Sequence, residues 1–296
     1  MNQSLFKTIG NTPIVELSRY TPNKKIKIFA KLEGNNPGGS IKDRIALYII
    51  KDALAKGHID SKKTVIEATS GNTGIGIAMI LATMQIPFIA VMSESVSLER
   101  RKMIEAYGAK IKLTDGDKGT NHAISIVKQI VLENPSIYYN LDQFSNPGNV
   151  IAHYQTTGAE IIRQIPNITH FVAGMGTGGT LMGVGKRLKQ YNSAIQIVGI
   201  EPKAHSLIQG LRNMKDYIPL IFEPDKLDKI ISIEDDEAFE LSKDLVKNEG
   251  ISVGISSGAN LWGSMQIASK LKSGHTASRF PALFLLSQHR FFHIVS

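Results

Sequence analysis

A lysine lies where a helix is expected to begin, after a loop rich in small and polar residues. The segment from Asn35 to Arg44 reads NNPGGSIKDR. Ser40 is a favourable N-cap, and Asp43 three residues later completes a capping box. Lys42 is therefore predicted in the first helical turn, where the helix dipole lowers the pKa of its ammonium group if burial also desolvates it. Such a lysine suits imine formation, although from this loop alone a solvent-facing lysine is the simpler interpretation.

A second loop, Thr69–Gly74, separates a predicted strand from a predicted helix and reads TSGNTG. Its glycines allow a ligand to approach the backbone closely. Its N–H groups and hydroxyls suit an anion such as a carboxylate. We therefore expect this loop to bind an anion rather than to be only a capped turn.

A third loop, Gly174–Thr180, also precedes a predicted helix and reads GMGTGGT. N–H groups at a helix start suit a phosphate group. The loop also fits the dinucleotide pattern G-x-G-x-x-G, and Glu201 ends the next predicted strand 22 residues after Gly179. An enzyme with a phosphorylated cofactor and an NAD-dependent oxidoreductase therefore both remain open. A fourth loop, Gly254–Gly258, indicates by itself only two serines that cap a helix.

The composition excludes several kinds of site. Of the 296 residues, 42% are hydrophobic and 20% are charged, which is typical of a globular protein. Cysteine is absent, so disulfides, thiolate zinc sites, iron–sulfur clusters and a cysteine nucleophile are ruled out, and a reducing compartment fits. The eight histidines show no spacing of metal ligands, and neither G-x-S-x-G nor G-K-[ST] occurs. We expect no metal site, no serine hydrolase and no P-loop.

The net charge of +8 does not indicate nucleic-acid binding. Half of the excess lies in Gly250–Ser296, which has no acidic residue but contains Lys270, Lys272, Arg279 and Arg290. No basic helix with interleaved aromatic residues is evident elsewhere. We expect an ordinary solvated surface.

One uncharged segment, Ile75–Met92, is just long enough to suggest a membrane span. Thr83, Gln85 and Pro87 interrupt it, so the segment is predicted as a buried helix, a turn and a buried strand rather than a span. Met1–Pro13 has one lysine and no continuous apolar core, so no cleaved leader is expected.

Predicted strands alternate with predicted helices, which indicates an α/β fold with a mainly parallel sheet. The Ser-Asn-Pro-Gly cluster within Phe144–Gly148 is the best candidate boundary between two halves. Strands are predicted at 27–32, 64–68, 88–92, 110–114, 137–140, 170–173 and 195–200. Helices are predicted at 41–55, 73–84, 98–107, 122–133, 180–191, 236–248 and 258–271.

Taken together, the four loops resemble those of the cysteine synthase (O-acetylserine sulfhydrylase) group of fold-type II enzymes, which use pyridoxal phosphate. The resemblance extends over roughly Leu5–Leu271, and the segment Gly34–Ser40 is closer to the B-type isoenzyme than to the A-type. The motifs that carry it are, in chain order, TIGNTP at 8–13, SIKDR at 40–44, EATSGNTG at 67–74, QFSNP at 143–147, GTGGT at 176–180 and GISSG at 254–258.

The resemblance implies a role for each loop. Lys42 would hold the cofactor as an imine and later remove the α-proton of the substrate. Asn72 would bind the ring hydroxyl oxygen of the cofactor, and Ser256 would face its pyridine nitrogen. Arg212, which follows Gly210-Leu211, would select an anionic sulfur donor. The cofactor phosphate would be bound by Gly176, Thr177, Gly178, Gly179 and Thr180, and the substrate carboxylate by Thr69, Ser70, Gly71, Thr73 and Gln143.

The resemblance also implies an architecture of two domains, each with a mainly parallel twisted sheet flanked by helices, as in the tryptophan synthase β fold. Residues 1–12 and 35–145 would form a smaller domain with the lysine and the substrate loop. Residues 13–34 and 146–296 would form a larger domain with the phosphate loop and the serine. A cytoplasmic homodimer with small-molecule substrates, and with no nucleic acid or membrane, is expected.

The reaction implied is β-replacement of O-acetyl-L-serine through an aminoacrylate, with sulfide or thiosulfate as donor, to give L-cysteine and acetate. Cystathionine β-synthase and serine/threonine dehydratase share these loops and are alternatives. An NAD-dependent oxidoreductase built on Gly174–Gly179 and Glu201 leaves Lys42 and Asn72 without a role. A binding protein that has lost its activity is the remaining alternative.

After Leu271 the resemblance is expected to end. The family continues with a segment of the type Pro-Asp-x-Gly-x-Arg-Tyr, whereas this chain lacks the Arg-Tyr motif, which bears on packing beside the pyridine end of the cofactor. A disrupted reading frame or a divergent, functional terminus would explain the difference. Residues Pro281–Ser287 are predicted as an apolar strand.

Overall fold

The computed structural model describes residues 3–22, 25–69, 71–215, 217–271 and 280–286, with the backbone alone for Gln3 and for 280–286. The chain divides into two compact units. One comprises Met1–Ile9 and Asn36–Asn149, and the other comprises Gly10–Asn35 and Val150–Ser296.

Strands and helices alternate through most of the described chain. The strands are β1 (Ile14–Glu16), β2 (Ile26–Leu32), β3 (Thr64–Ala68), β4 (Phe88–Ser93), β5 (Lys110–Thr114), β6 (Tyr138–Asn140), β7 (His170–Gly174), β8 (Gln196–Pro202), β9 (Lys229–Ile233) and β10 (Phe280–Leu286). The α-helices are α1 (Gln3–Phe6), α2 (Lys42–Ala55), α3 (Asn72–Ala82), α4 (Leu98–Ala106), α5 (Gly119–Glu133), α6 (Pro147–Ala152), α7 (Gly158–Gln164), α8 (Gly179–Tyr191), α9 (Asp235–Glu249) and α10 (Ile255–Lys270).

The first unit contains a four-stranded parallel sheet in the order β5-β4-β3-β6. The two central strands are buried, because Val65 and Ile66 on β3 and Ala90 and Val91 on β4 are at most 1% exposed. Strands that are covered on both faces have continuous apolar sequences of this kind. The carboxyl ends of parallel strands lie at one edge of the sheet, so the chain that leaves β3 lies beside the chain that leaves β6.

The uncharged segment Ile75–Met92 forms a buried helix, a turn and a buried strand, as predicted. Helix α3 is buried over most of its length, and Gln85 turns the chain with a left-handed φ of 55° before β4. Among the described residues, no helix is both long and apolar enough to cross a membrane.

The second unit contains a six-stranded sheet in the order β1-β2-β10-β7-β8-β9. All neighbouring strands pair in parallel except β1, which is antiparallel to β2. The hydrophobic core includes Ile28, Val172, Ile200 and Leu261, which are all at most 1% exposed. The predicted strand in the tail is present as β10, which pairs with β2 on one side and β7 on the other. Lys270 is the last residue of α10, whereas Lys272, Arg279, Ser287 and Arg290 lie outside the described residues.

The α/β fold class is confirmed, and the helix starts at the functional loops differ from the predicted ones by one to three residues. Helix α3 begins at Asn72, one residue earlier than predicted, and α10 begins at Ile255, three residues earlier. Gly254 is the N-cap of α10 and is extended, with φ −86° and ψ 166°. The serines of this loop therefore lie inside the first turn instead of capping it. Strands β1 and β9 and helices α1, α6 and α7 were not predicted. These helices have at most seven residues, which is too few for a helical apolar period to be evident.

Candidate active site

Lys42 is the first residue of α2 and lies in the first unit. Its backbone N–H donates to the Ser40 hydroxyl oxygen at 3.1 Å, but the N-cap position belongs to Ile41. The predicted capping box is therefore wrong. The buried Asp43 carboxylate reaches further back and accepts the N–H of Gly38 at 2.6 Å, so it holds the preceding loop against the helix start.

Helix α2 packs closely on α3 because residue 76 is a glycine. A Cβ at Gly76 would lie 3.1 Å from Oδ1 of Asp43 and 3.3 Å from Cβ of Ala46. Helix α2 carries Lys42, and α3 follows the predicted anion-binding loop. The close approach therefore fixes the lysine helix relative to that loop within one unit.

The loop between β3 and α3 is held by the Thr69 hydroxyl. Its oxygen accepts the N–H of Gly71 at 3.1 Å and the N–H of Gly74 at 3.0 Å. Gly71 is the N-cap of α3, with φ 142° and no side-chain cap, so Asn72 and Thr73 begin the helix. A helix start of this kind directs N–H groups and the positive end of the dipole toward the loop. Ser70 lies outside the described residues.

Gln143 joins this loop from the chain that leaves the neighbouring strand β6. The Thr73 hydroxyl donates to Oε1 of Gln143 at 2.7 Å, and Nε2 of Gln143 donates to the Ala68 carbonyl oxygen at 2.9 Å. Gln143 is 4% exposed. The structure thus brings Thr69, Gly71, Thr73 and Gln143 together.

Helix α4, which was predicted from the sequence, covers the same loop, and this contact was not predicted. A Cβ at Gly71 would lie 2.5 Å from Cδ of Arg100, and a Cβ at Gly74 would lie 2.9 Å from Cδ1 of Ile104. Burial lowers the pKa of Arg100 to about 10, so its guanidinium remains positively charged at neutral pH. The spacing of four residues that places Arg100 and Ile104 on one helical face was the available signal.

In the second unit, the glycine-rich loop has the form of an anion cradle. Gly178 is the N-cap of the 13-residue helix α8, has φ 84°, and provides no side-chain cap. A Cβ at Gly178 would lie 2.5 Å from the Phe222 ring, and a Cβ at Gly176 would lie 2.6 Å from the Gly210 carbonyl oxygen. Larger residues would therefore fill the cradle. The helix start fits a phosphate group.

His153 orients one hydroxyl of this loop and was considered at the sequence level only as a metal ligand. Its Nε2 lies 3.1 Å from Oγ1 of Thr180, and its Nδ1 lies 3.0 Å from Oγ1 of Thr157. His153 is 1% exposed and begins a π-helical turn, His153–Thr157, a feature common at functional sites. A contact between residues 27 positions apart leaves no signal in local sequence patterns.

The segment that contains Arg212 packs on the glycine-rich loop. The N–H of Arg212 donates to the Met175 carbonyl oxygen at 2.7 Å, and its guanidinium lies 5.0 Å from the Tyr217 ring centroid. The N–H of Met214 donates to Oε1 of Glu201 at 2.9 Å. Glu201 therefore binds the backbone of its own chain, whereas the dinucleotide interpretation required its carboxylate to bind a ligand.

Ser256 lies in the first turn of α10 and is 8% exposed. Helix α10 packs directly on α9, because a Cβ at Gly258 would lie 2.0 Å from the Ala238 carbonyl oxygen. This glycine fixes the start of α10, and with it the Ser256 hydroxyl. Among the described residues, no group of three or more His, Asp or Glu side chains could hold a metal ion.

A protein-family model described as "Pyridoxal-phosphate dependent enzyme" matches residues 5–279. This chain belongs to the pyridoxal-phosphate dependent enzymes. The match extends beyond Leu271, where the resemblance was expected to end. The enzyme uses pyridoxal phosphate, and the NAD-dependent interpretation is wrong. The glycine-rich loop at the start of α8 fits the phosphate of this cofactor, since Gly176 and Gly178 have no space for a larger side chain, and a lysine such as Lys42 has the primary amine that would react with the cofactor aldehyde.

The enzyme is similar to known cysteine synthases. It is 46% identical to "Cysteine synthase" of Aquifex aeolicus over 276 residues, covering 91% of this chain and 84% of that protein. It is 42% identical to "Cysteine synthase B" of Campylobacter jejuni over 281 residues, covering 91% of each. Among solved structures, a hydrogen sulfide-producing enzyme from Fusobacterium nucleatum superposes with a TM-score of 0.90 at 35% identity, covering 97% of this chain and 98% of the other.

Proposed function

We propose that this enzyme is a cysteine synthase that replaces the acetate of O-acetyl-L-serine with sulfide, giving L-cysteine and acetate. The observation that carries the proposal is the loop Thr69–Gly74, closed by the Thr69 hydroxyl and joined by Gln143. It supplies a site for an amino-acid carboxylate in the same unit as Lys42. The similarity to cysteine synthases from two bacteria supports the choice of reaction.

Lys42 has two roles in this proposal. Its amine would hold the cofactor, and in its free form the same amine would remove the proton from the substrate α-carbon. The cofactor, when bound, delocalises the negative charge that develops at that carbon. Because α2 is packed against α3, the backbone of Lys42 is held at a fixed place relative to the carboxylate loop, which favours proton transfer.

The remaining polar groups hold the cofactor at its other atoms. Gly176–Thr180 bind the phosphate at the positive end of α8, and Asn72 binds the ring hydroxyl oxygen. Ser256 faces the pyridine nitrogen. A hydroxyl there, unlike a carboxylate, does not enforce a protonated ring, so the ring is a weaker electron sink. This favours elimination, in which acetate leaves with the electron pair, over transamination.

The substrate carboxylate is bound by Thr69, Ser70, Gly71, Thr73 and Gln143 in this proposal. The N–H groups at the start of α3 and the second hydrogen of the Gln143 amide are donors suited to a carboxylate. The nearby Arg100 guanidinium adds a positive charge on the other side of Gly71.

Arg212 is proposed to select an anionic sulfur donor. It lies in the segment that packs on the glycine-rich loop, and its guanidinium is oriented by Tyr217. If thiosulfate is a donor, Arg212→Ala should raise the KM for thiosulfate by about tenfold, as expected for loss of one charge-assisted hydrogen bond. The KM for sulfide should change little, and equal changes for both donors would contradict this role.

The visible absorption spectrum of the cofactor-loaded enzyme tests the proposal as a whole. O-acetylserine should shift the cofactor band, sulfide should restore it with release of cysteine, and Lys42→Ala should abolish the original band. Turnover only with homocysteine would indicate a cystathionine synthase, and release of a keto acid a dehydratase. A bound cofactor whose band no amino acid shifts would indicate an inactive binding protein.

The family resemblance also supports a cytoplasmic homodimer. Light scattering should then give twice the chain mass of 32.4 kDa, and cell fractionation should place the enzyme with cytoplasmic markers. A mass equal to one chain would contradict the dimer.

A further inference from the structure

A buried glutamate, Glu67, lies beneath the carboxylate-binding loop and has no role in the function proposed above. It belongs to β3, a central strand, and is 1% exposed. An acidic side chain in a core costs free energy unless its oxygens are hydrogen-bonded. Its contacts therefore indicate what it does there.

Both carboxyl oxygens of Glu67 accept backbone N–H groups from the chain that leaves β6. Oε2 accepts the N–H of Asp142 at 2.8 Å, and Oε1 accepts the N–H of Gln143 at 3.3 Å. Asp142 has a left-handed φ of 51°, a conformation that costs free energy for a residue other than glycine. The two hydrogen bonds offset that cost and hold the turn.

The turn held by Glu67 carries the glutamine of the substrate site. The side chain of Gln143 contacts the Ala68 carbonyl and the Thr73 hydroxyl. The backbone carbonyl oxygen of Gln143 accepts a hydrogen bond from Nδ2 of Asn149 at 2.8 Å. The backbone of Gln143 is thus fixed from β3, and its amide group is fixed beside the loop that follows the same strand. Loss of the hydrogen bonds from Glu67 to this backbone would therefore displace the Gln143 amide group.

We propose that Glu67 is a positioning residue of the carboxylate site: it holds the Asp142–Gln143 turn so that the Gln143 amide stays directed at the substrate carboxylate. The inference rests on the proposed function, because that function assigns Gln143 to the substrate. Glu67 itself contacts neither substrate nor cofactor in this scheme. Its effect is on substrate binding and not on the chemical step.

The two hydrogen bonds that Glu67 accepts indicate which substitution tests the proposal. Glu67→Gln keeps the size of the side chain but replaces one oxygen with an NH₂ group, which cannot accept a hydrogen bond. One N–H of the turn then faces another donor. Glu67→Asp keeps two acceptor oxygens but withdraws them by one methylene, so a partial effect is expected.

The first measurement compares the steady-state kinetics of cofactor-loaded wild type and Glu67→Gln. The KM for O-acetylserine should rise by about tenfold, the effect of one lost hydrogen bond. The kcat and the absorbance of bound cofactor should stay near wild type, and Glu67→Asp should lie between the two. Glu133→Gln, a matched change at an exposed residue of the same unit, should leave KM unchanged. A fall in kcat at constant KM, or loss of cofactor alone, would overturn the inference.

Amide hydrogen exchange provides a readout that does not depend on turnover. The N–H groups of Asp142 and Gln143 should exchange faster in Glu67→Gln than in wild type, whereas amides of the β3–β4 pairing should not change. If wild type makes no cysteine, the proposed function fails, but amide exchange still tests whether Glu67 stabilises the Asp142–Gln143 turn. If wild type is active and Glu67→Gln changes neither exchange nor KM, the positioning role fails alone. Failure of both Glu67 variants to fold would indicate a structural role only and would also overturn it.

Discussion

At the scale of single residues, Glu67 shows burial and hydrogen bonding acting on one carboxyl group in opposite directions. Burial raises the pKa of Glu67, the N–H bonds from Gln143 and Asp142 oppose the rise, and the nearby charge of Asp142 adds to it, so that the net pKa is about 8. The desolvation effect dominates because the side chain is almost fully enclosed. The folded enzyme therefore retains a proton there that the unfolded chain releases near its ordinary pKa of 4.5.

This difference predicts a pH-dependent stability. Below about pH 4.5 both states are protonated, and between there and about pH 8 only the folded state keeps the proton, so stability falls as pH rises through this window and levels off above it. Glu67→Gln removes the titrating group. The free energy of unfolding of the variant relative to wild type should rise by a few kcal/mol between pH 5 and pH 8, as measured by urea denaturation. A constant difference across this range would show that the carboxyl is ionised in the folded enzyme.

Gly71 is the residue at which the substrate loop is most restricted. It combines a φ of 142° with a Cβ position 2.5 Å from Arg100. Gly71→Ala should therefore displace the loop or Arg100 and raise the KM for O-acetylserine by tenfold or more, roughly the effect of one or two lost hydrogen bonds.

The matched control for that substitution is Gly108→Ala. Gly108 also has a left-handed φ, of 82°, but no atom lies within 4 Å of its Cβ position. An alanine at residue 108 would therefore have a strained backbone but no steric collision with a neighbouring side chain. If both variants lose stability but only Gly71→Ala raises KM, the contact with Arg100 is the cause, whereas equal KM values would assign the effect to strain.

At the scale of secondary structure, helices of this enzyme pack closely on their neighbours at glycine residues. The approach is closest at Gly258, where α10 meets the backbone of α9 at the Ala238 carbonyl and the Ser242 nitrogen. Backbone atoms cannot move aside as a side chain can, so the position of α10, and of Ser256 in its first turn, depends on this one residue.

Gly258→Ala should destabilise the enzyme by about 1–3 kcal/mol, the usual cost of overpacking, and should weaken cofactor binding through displacement of Ser256. Urea denaturation and cofactor titration measure the two effects. Gly185→Ala in α8 is the control, since its Cβ would meet only the Ile197 side chain at 3.3 Å. A smaller loss for Gly258→Ala than for Gly185→Ala would contradict this account of the helix packing.

At the scale of the whole molecule, the second unit depends on a strand from the end of the chain. Strand β10 lies between β2 and β7 in the six-stranded sheet. Without it, β2 would lack its parallel partner along 280–286 and β7 along 282–284, and unpaired buried backbone groups are costly.

A chain that ends at Leu271 should therefore lose cooperative unfolding and cofactor binding, as followed by circular dichroism and cofactor absorbance. A chain that ends at Leu286 keeps every described strand and is the control. Normal cofactor binding by the shorter chain would show that β10 is not needed to complete the sheet.

The sequence by itself determined the local features of this enzyme. The alternation of strands and helices, the glycine-rich loops, and the starts of α2, α3 and α8 to within one residue were predicted, because turn chemistry and hydrophobic periodicity act between residues close in the chain. The family resemblance, carried by those same loops, predicted the pyridoxal-phosphate cofactor before any contact was known.

Only the tertiary structure decided which distant residues meet at those loops. Glu67 and Gln143 are 76 residues apart, and they meet because β3 and β6 are neighbours in the sheet. Arg100 reaches Gly71 because α4 packs on α3, and His153 reaches Thr180 through a π-helical turn. Periodicity specifies which face of an element is apolar but not which element lies beside it. The groups that orient the site therefore became visible only once the sheet order and helix packing were known.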